Sequence, residues 1–292
     1  MSDFKNLHPV CIFSYFVVVI GMILVCNDPL LMVIACAGAA LLLGTTEKSG
    51  IKKHIKWMLP LLILIAIANP LVNHRGVTRL FVLFDQWITL EAVCYGVSSA
   101  LSLAAVILWF CCYQKIMTSD KFLYIFGKIA PACALLVSMA LAFVPKLQKQ
   151  LEQILECWQM MPLQEENRLK DKIYTAIRNV SILLGWSLEN TVEQADSMKA
   201  RGYGIKKRTA FHLFRIRRRD VIFLAVLLVE TGICLGLRIL GYGTMEFYPR
   251  IVDTFSGKWN GLFYLTFLLL VVLPGIMEWK EEMVWRSYNL NP

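Results

Sequence analysis

The sequence predicts an all-α polytopic membrane protein that also carries a cytoplasmic domain of long amphipathic helices. The 292-residue chain is 57% hydrophobic and only 17% charged, whereas soluble domains are near a quarter charged. Its apolar residues are gathered into uncharged runs instead of being spread evenly. The segment 113–220 differs from both ends of the chain, because apolar side chains recur there at helical spacing among charged ones.

Six mainly apolar runs predict six membrane-spanning helices, and five of them contain no charged residue. A helix needs roughly 17–25 apolar residues to cross a bilayer. The run 92–112 meets that length outright, 10–26 meets it marginally, and the others need flanking residues. The predicted spans are 10–26, 29–43, 57–72, 92–112, 221–240 and 262–277. The run 132–144 is too short to span, which favours a buried or interfacial helix for it.

Lysine and arginine predict the orientation of the chain. If the N-terminus is cytoplasmic, most of the 30 basic residues fall in segments on the inner side of the membrane. The short loop between the second and third spans is decisive because it holds Lys48, Lys52, Lys53 and Lys56. The sequence therefore divides into four N-terminal spans (1–117), a cytoplasmic region (118–220), and two further apparent spans with a tail (221–292).

Two long helices are predicted in the cytoplasmic region. Pro131 suits the first turn of the first helix, and Pro145 is expected to kink it. The second helix has one apolar face, formed by Ile173, Ile177, Val180, Leu184, Leu188, Val192 and Ala195. Arg201 at its end is favoured by the helix dipole, and Gly202 suits the left-handed position that terminates a helix.

Three motifs give the chain a family resemblance. They are LHPV before the first span, ANPL at the end of the third, and SLENTVEQADSMKARGYG at 187–204. On these motifs the chain resembles the transmembrane T component of energy-coupling factor (ECF) transporters, the family that includes the cobalt-uptake Q subunits. The third motif is the specific one, since it is similar to the second Ala-Arg-Gly motif of the family's coupling helices.

The resemblance implies a function and a set of partners. The T component joins two ABC-type ATPases to a small integral-membrane S component, and the S component selects a vitamin or a transition-metal ion. It implies that Ala200, Arg201 and Gly202 contact an ATPase, and that the protein lies in the cell membrane. The family's earlier Ala-Arg-Gly motif falls at Met160, Met161 and Pro162, where this chain has no arginine. Contact there would depend on packing of the methionines.

Motifs for other functions are missing from the sequence. There is no GxxxxGK[ST] phosphate loop, no paired histidine spacing for a metal, and no nucleophile motif, so we expect a non-catalytic subunit without cofactor or metal. The basic residues lack the aromatic interleaving of nucleic-acid binders. The alternative is an integral-membrane enzyme acting on a lipid or prenyl substrate. Glu230, within a predicted span, is a further functional candidate.

Overall fold

The computed structural model describes residues 4–26, 28–46, 50–73, 76–83, 86–127, 129–160, 169–205, 214–243, 245, 247–248 and 258–289. This part of the chain forms nine helices and one two-stranded hairpin. In chain order these are α1 (Pro9–Val25), α2 (Pro29–Thr46), α3 (Gly50–Val72), β1 (Arg79–Leu83), β2 (Gln86–Thr89), α4 (Leu90–Ile116), α5 (Ser119–Gly127), α6 (Pro131–Gln159), α7 (Leu169–Ala200), α8 (Arg218–Ile239) and α9 (Lys258–Asn289).

The predicted fold class is confirmed: the chain is an all-α polytopic membrane protein. Four helices are long and apolar enough to cross a membrane, namely α4, α6, α8 and the part of α9 from Asn260 to Glu278. The apolar parts of α1, α2 and α3 coincide with the first three predicted spans, and each has at most 17 residues, the lower end of the length that crosses a bilayer.

Helix α6 differs from the expectation for its sequence. The run 132–144 was expected to be too short to span, with a break in character at Pro145. A single helix with Pro145 inside it was predicted, and α6 does continue through Pro145, with a length of 29 residues. A proline removes one main-chain donor, but the hydrogen bonds on either side carry the helix onward. By length and composition α6 therefore belongs among the candidate spans.

The chain divides into two compact units. One unit combines residues 1–122 with 214–292, and the other consists of residues 123–213. The first unit contains α1 to α4, α8 and α9, so the two ends of the chain pack together. The second contains α6 and α7, and it lies within the predicted cytoplasmic region 118–220. The placement of that region on the cytoplasmic side stays a prediction.

Aromatic side chains form the centre of the first unit. Tyr15 of α1 and Trp109 of α4 are fully buried, with ring centroids 5.9 Å apart in an edge-to-face arrangement. The Trp109 indole N–H donates to the carbonyl of Ala35 on α2 at 3.1 Å. The Tyr15 hydroxyl donates to the carbonyl of Leu270 on α9 at 3.2 Å. These two side chains therefore link four helices and also satisfy their own polar atoms.

Small residues allow α2 to approach its neighbours closely. A Cβ atom added at Gly38 would lie 1.9 Å from Cγ1 of Val271, so any larger residue at this crossing of α2 and α9 would force the Val271 side chain to shift. Ala35 and Ala39, on the same helix, are also fully buried. In a bilayer the hydrophobic effect does not drive helices together, because lipid tails are as apolar as the side chains. Helices then associate by close packing, which small residues allow.

A short hairpin precedes α4, and the sequence analysis did not predict it. Strands β1 and β2 pair antiparallel. The carboxylate of Glu91, in the first turn of α4, accepts hydrogen bonds from the hydroxyl and the main-chain N–H of Thr78, the latter at 3.2 Å. Glu91 thereby fixes the segment leading into β1 against the beginning of α4.

A buried carboxylate joins the beginnings of α1 and α8. Asp220 is 4% exposed. Its Oδ1 accepts the main-chain N–H of His8 at 3.2 Å, and its Oδ2 accepts that of Arg217 at 2.7 Å. The second bond caps α8. The LHPV element therefore lies against the first turn of α8, although the two are far apart in sequence.

Replacing Asp220 with alanine should destabilise the first unit. The change removes the acceptor of one buried and one partly buried main-chain N–H, at a cost of about 2–4 kcal/mol. Thermal unfolding of the detergent-solubilised protein measures this as a lowered Tm. Asp196→Ala is the matched control, because Asp196 is 70% exposed and forms only a surface ion pair with Lys199. Equal Tm values for the two variants would contradict the prediction.

Candidate functional site

The candidate site is the C-terminal tip of α7, where the Ala-Arg-Gly motif lies. Helix α7 is 32 residues long and ends at Ala200, as the sequence predicted. The N–H of Tyr203 donates to the carbonyl of Met198 at 3.1 Å, and that of Gly202 donates to Lys199 at 2.9 Å. These two bonds form a Schellman cap. Gly202 has φ of +87°, which confirms its predicted left-handed conformation.

The cap leaves Arg201 on the outside of the helix end. Its side chain is exposed, and within the described residues the guanidinium makes neither an ion pair nor a hydrogen bond. It borders an open cleft of about 410 Å³ between α6 and α7. The cleft is lined by Lys146, Asn190, Glu193, Gln194, Ser197, Met198 and Arg201. The planar Arg201 guanidinium holds its N–H donors in a fixed arrangement that suits two parallel hydrogen bonds to a carboxylate.

Ala200 completes the exposed face of the tip. It is the last residue of α7 and is exposed, so its small side chain leaves room for another surface to approach the Arg201 main chain. The three residues of the motif therefore have separate structural roles. Gly202 stops the helix, Arg201 presents the charge, and Ala200 leaves space beside it.

The second predicted tip is only partly described. Met160 directly follows the end of α6 and is 85% exposed, which fits a side chain available for contact with another protein. Met161 and Pro162 lie outside the described residues. The interpretation of this tip as an apolar contact stays a prediction.

A polar and aromatic cluster joins α6 to α7. The indole N–H of Trp158 donates to Oδ1 of Asn179 at 2.8 Å, and Asn179 is 8% exposed. The guanidinium carbon of Arg178 lies 3.7 Å from the Trp158 ring centroid, a cation–π contact. Farther along, the Phe143 and Trp186 rings stack at 5.9 Å. These contacts hold α6 against α7 and so position Lys146 beside the C-terminal part of α7.

The predicted apolar face of α7 is turned away from α6. Its large members are all exposed within the chain: Ile173 60%, Ile177 62%, Val180 54%, Leu184 59%, Leu188 69% and Val192 61%. Helix α6 instead contacts the side of α7 that carries Arg178, Asn179 and Trp186. The apolar stripe of α7 (these six residues) is therefore available to another molecule or to lipid.

Glu230 and Arg238 do not form a pair. The Arg238 guanidinium donates to the carbonyls of Gly243 at 3.0 Å and Val25 at 3.1 Å, which joins the ends of α1 and α8. Oε2 of Glu230 is buried and has no hydrogen-bond partner among the described residues. Within that part of the chain, no group of three or more His, Cys, Asp and Glu side chains is arranged to hold a metal ion.

No protein-family model matches the chain, and a search of curated proteins finds no similar sequence. The resemblance to the ECF T components therefore stays a prediction from the sequence motifs.

Sequence reasoning identified Arg201 but missed the residues that surround it. Lys146 belongs to a different helix, and nothing in its local sequence distinguishes it from Lys149, the other lysine of α6. Asn190, Gln194 and Ser197 lie one to three turns before Arg201 on α7. Their helical spacing places them on one side of α7, which a projection of the sequence onto a helix could have found.

Changing Gly202 to alanine should loosen the α7 tip. The left-handed conformation costs an L-residue about 1–2 kcal/mol, whereas a Cβ would have room, with its nearest neighbour 3.6 Å away. Hydrogen exchange of the amides near residue 200 should accelerate severalfold. Gly185→Ala is the control, because Gly185 lies within α7 in open space and alanine favours helix. Unchanged exchange in Gly202→Ala would show that the cap does not stabilise the tip.

Trp158→Phe should weaken the junction of α6 and α7. Phenylalanine keeps a ring beneath Arg178 but cannot donate to Asn179, a loss of about 1 kcal/mol. The measurement is a double-mutant cycle with Asn179→Ala, read by chemical unfolding. Since both changes remove the same hydrogen bond, the double variant should lose less stability than the sum of the two single losses. Additive losses would indicate that the bond contributes nothing.

Proposed function

We propose that this protein is the transmembrane coupling subunit of an ECF-type ABC importer. In this proposal it transmits the ATP-driven motion of two cytosolic ATPases to a substrate-binding S component, for uptake of a vitamin or a transition-metal ion. Its own role is non-catalytic. The proposed location is the cell membrane, with the N-terminus in the cytoplasm.

The observation that carries the proposal is the tip of α7. A long helix ends in a capped turn that exposes one arginine beside a cleft, and the Ala-Arg-Gly motif occupies that turn. A helix end needs a glycine cap for its own stability, but it does not need an exposed arginine next to a polar cleft. These features support the docking of a partner that carries carboxylates.

The proposed mechanism requires α7 to move as a unit. A rigid helix of 32 residues is about 48 Å long at 1.5 Å per residue, so force applied at its tip is delivered far from the point of contact. The Trp158, Asn179 and Arg178 contacts would carry that motion to α6. The apolar stripe of α7 is then a surface that another component of the complex can cover.

The S component is expected to contact apolar surface of this chain. The first four predicted spans and residues 132–144 are the candidates. In the described residues Leu136 and Leu141 of α6 are 66% and 44% exposed, as expected for side chains available to lipid or to a membrane partner. Selection of the substrate would belong to the S component.

The alternative proposal is an integral-membrane enzyme that acts on a lipid or prenyl substrate. It would require acidic or histidine side chains grouped at the membrane boundary. Purification in detergent followed by identification of bound partners separates the two proposals. Two ATPases and a small membrane protein support transport, whereas turnover of a prenyl substrate by the chain alone supports the enzyme.

Arg201→Ala should release the ATPases and abolish uptake. The arginine would form charge-assisted bonds worth about 2–5 kcal/mol in a desolvated contact, a loss sufficient to break a detergent-stable complex. The measurement is the amount of ATPase that co-purifies with the tagged chain. Lys199→Ala is the matched control, because Lys199 is a neighbouring exposed cation that already pairs with Asp196. Wild-type amounts of ATPase with Arg201→Ala would refute this role.

A further inference from the structure

Exposed arginines are concentrated at the beginning of α8. They are Arg215, Arg217, Arg218 and Arg219, all exposed and all at or next to the first turn. Exposed aliphatic side chains alternate with them and follow them, with Ile216 67% and Ile222 64% exposed. A soluble anion needs only the charges. Guanidinium groups beside exposed aliphatic groups instead fit a molecule that combines a phosphate with hydrocarbon.

The acidic residue adjacent to these arginines is turned into the protein. Asp220 is 4% exposed, and its two carboxylate oxygens accept the main-chain N–H groups of His8 and Arg217. A carboxylate occupied by main-chain amides neutralises neighbouring guanidinium groups less than one that pairs with them directly. The outward-facing charge of this stretch is therefore positive.

Contacts bring a further basic segment to the same end of the first unit. The bond from His8 to Asp220 places the residues before α1 beside the beginning of α8, and Lys5 belongs to that segment. The Lys121 ammonium donates to the carbonyls of Lys5 at 2.7 Å and Ile116 at 3.0 Å, which fixes the segment against the end of α4. Burial, together with the nearby charge of Lys5, lowers the pKa of Lys121.

We propose that the arginine collar, formed by Lys5, Arg215, Arg217 and Arg218, binds the head group of an anionic phospholipid. The phosphate lies among the basic side chains, and the acyl chains lie along the exposed aliphatic face of α8 that includes Val221 and Ile222. A juxtamembrane basic side chain raises the affinity for an anionic lipid surface about fivefold, so the collar favours anionic over zwitterionic lipid. This site is independent of the transport proposal.

Native mass spectrometry of the detergent-solubilised full chain tests the site. The protein is mixed with equal amounts of phosphatidylglycerol and phosphatidylcholine that carry the same acyl chains. The wild type should retain phosphatidylglycerol preferentially. The variant Arg215→Gln/Arg217→Gln/Arg218→Gln should lose this preference, with affinity for phosphatidylglycerol lowered on the order of 100-fold at low ionic strength. Arg219 is left in place because it has another interaction in the structure.

A control variant with the same loss of charge separates a site from a net-charge effect. Lys149→Gln/Lys170→Gln/Lys172→Gln removes three exposed cations of α6 and α7 that lie outside the cleft, and it should keep the preference for phosphatidylglycerol. Loss of the preference in this control as well, or its retention in the arginine variant, would overturn the proposal. Competition by millimolar inorganic phosphate as effective as that by lipid would also overturn it, since the site would then be a simple anion site.

A single substitution keeps the test decisive if the triple variant fails to fold. Arg215 lies before α8 and outside its capping turn, so Arg215→Gln should leave the Asp220 bonds intact. It is expected to lower the affinity for phosphatidylglycerol about fivefold and to leave that for phosphatidylcholine unchanged. An affinity for phosphatidylglycerol equal to that of the wild type would count against the collar.

Discussion

The structure depends on one constraint, which is that polar groups buried among apolar helices must find partners inside the protein. At four positions the chain meets this constraint by directing side-chain donors to main-chain carbonyls and one carboxylate to main-chain amides, whereas Oε2 of Glu230 has no partner among the described residues. Trp109 and Tyr15 donate to carbonyls of α2 and α9, Arg238 donates to the ends of two helices, and Asp220 accepts from α1 and α8. The bonds to Ala35, Leu270, Val25 and His8 cross between helices, so the same interactions that satisfy polar atoms also determine which helices are neighbours.

The sequence predicts the helices well because hydrophobic runs and helical periodicity are local signals. The second amphipathic helix and its glycine cap were predicted closely, since Ile173 to Val192 repeat at helical spacing and Gly202 follows at once. The sequence predicts neighbours poorly. Lys146 and Arg201 border one cleft only because α6 and α7 pack together at Trp158. The sequence around Lys146 and Arg201 does not indicate this contact between the helices. The hairpin before α4 was missed because its strands are only five and four residues long and give a weak local signal. A single helix through Pro145 was expected, but its membership among the candidate spans was not.

The two units differ in the source of their stability. The first has a buried aromatic centre and small-residue crossings, so its fold is determined by contacts within the chain. In the second, the nearly fully buried residues among those described are Ile154 and Asn179. The α6 and α7 pair is held by a few specific contacts, and its apolar stripe is left uncovered. This division is consistent with the proposed coupling role, because an arm that was fully packed within its own chain would have no surface left for a partner.

The exposed stripe of α7 has a consequence for the abundance of the protein in a cell. Whatever covers Leu184, Leu188 and Val192 contributes to the folding free energy of the second unit by mass action. In copies that lack a covering molecule, the second unit would unfold more often, and proteases would remove those copies. Copies with the stripe covered would persist. The amount of this protein in the cell would then follow the amount of the molecule that covers the stripe. The two amounts would be matched by the packing of one helix, without dedicated regulation.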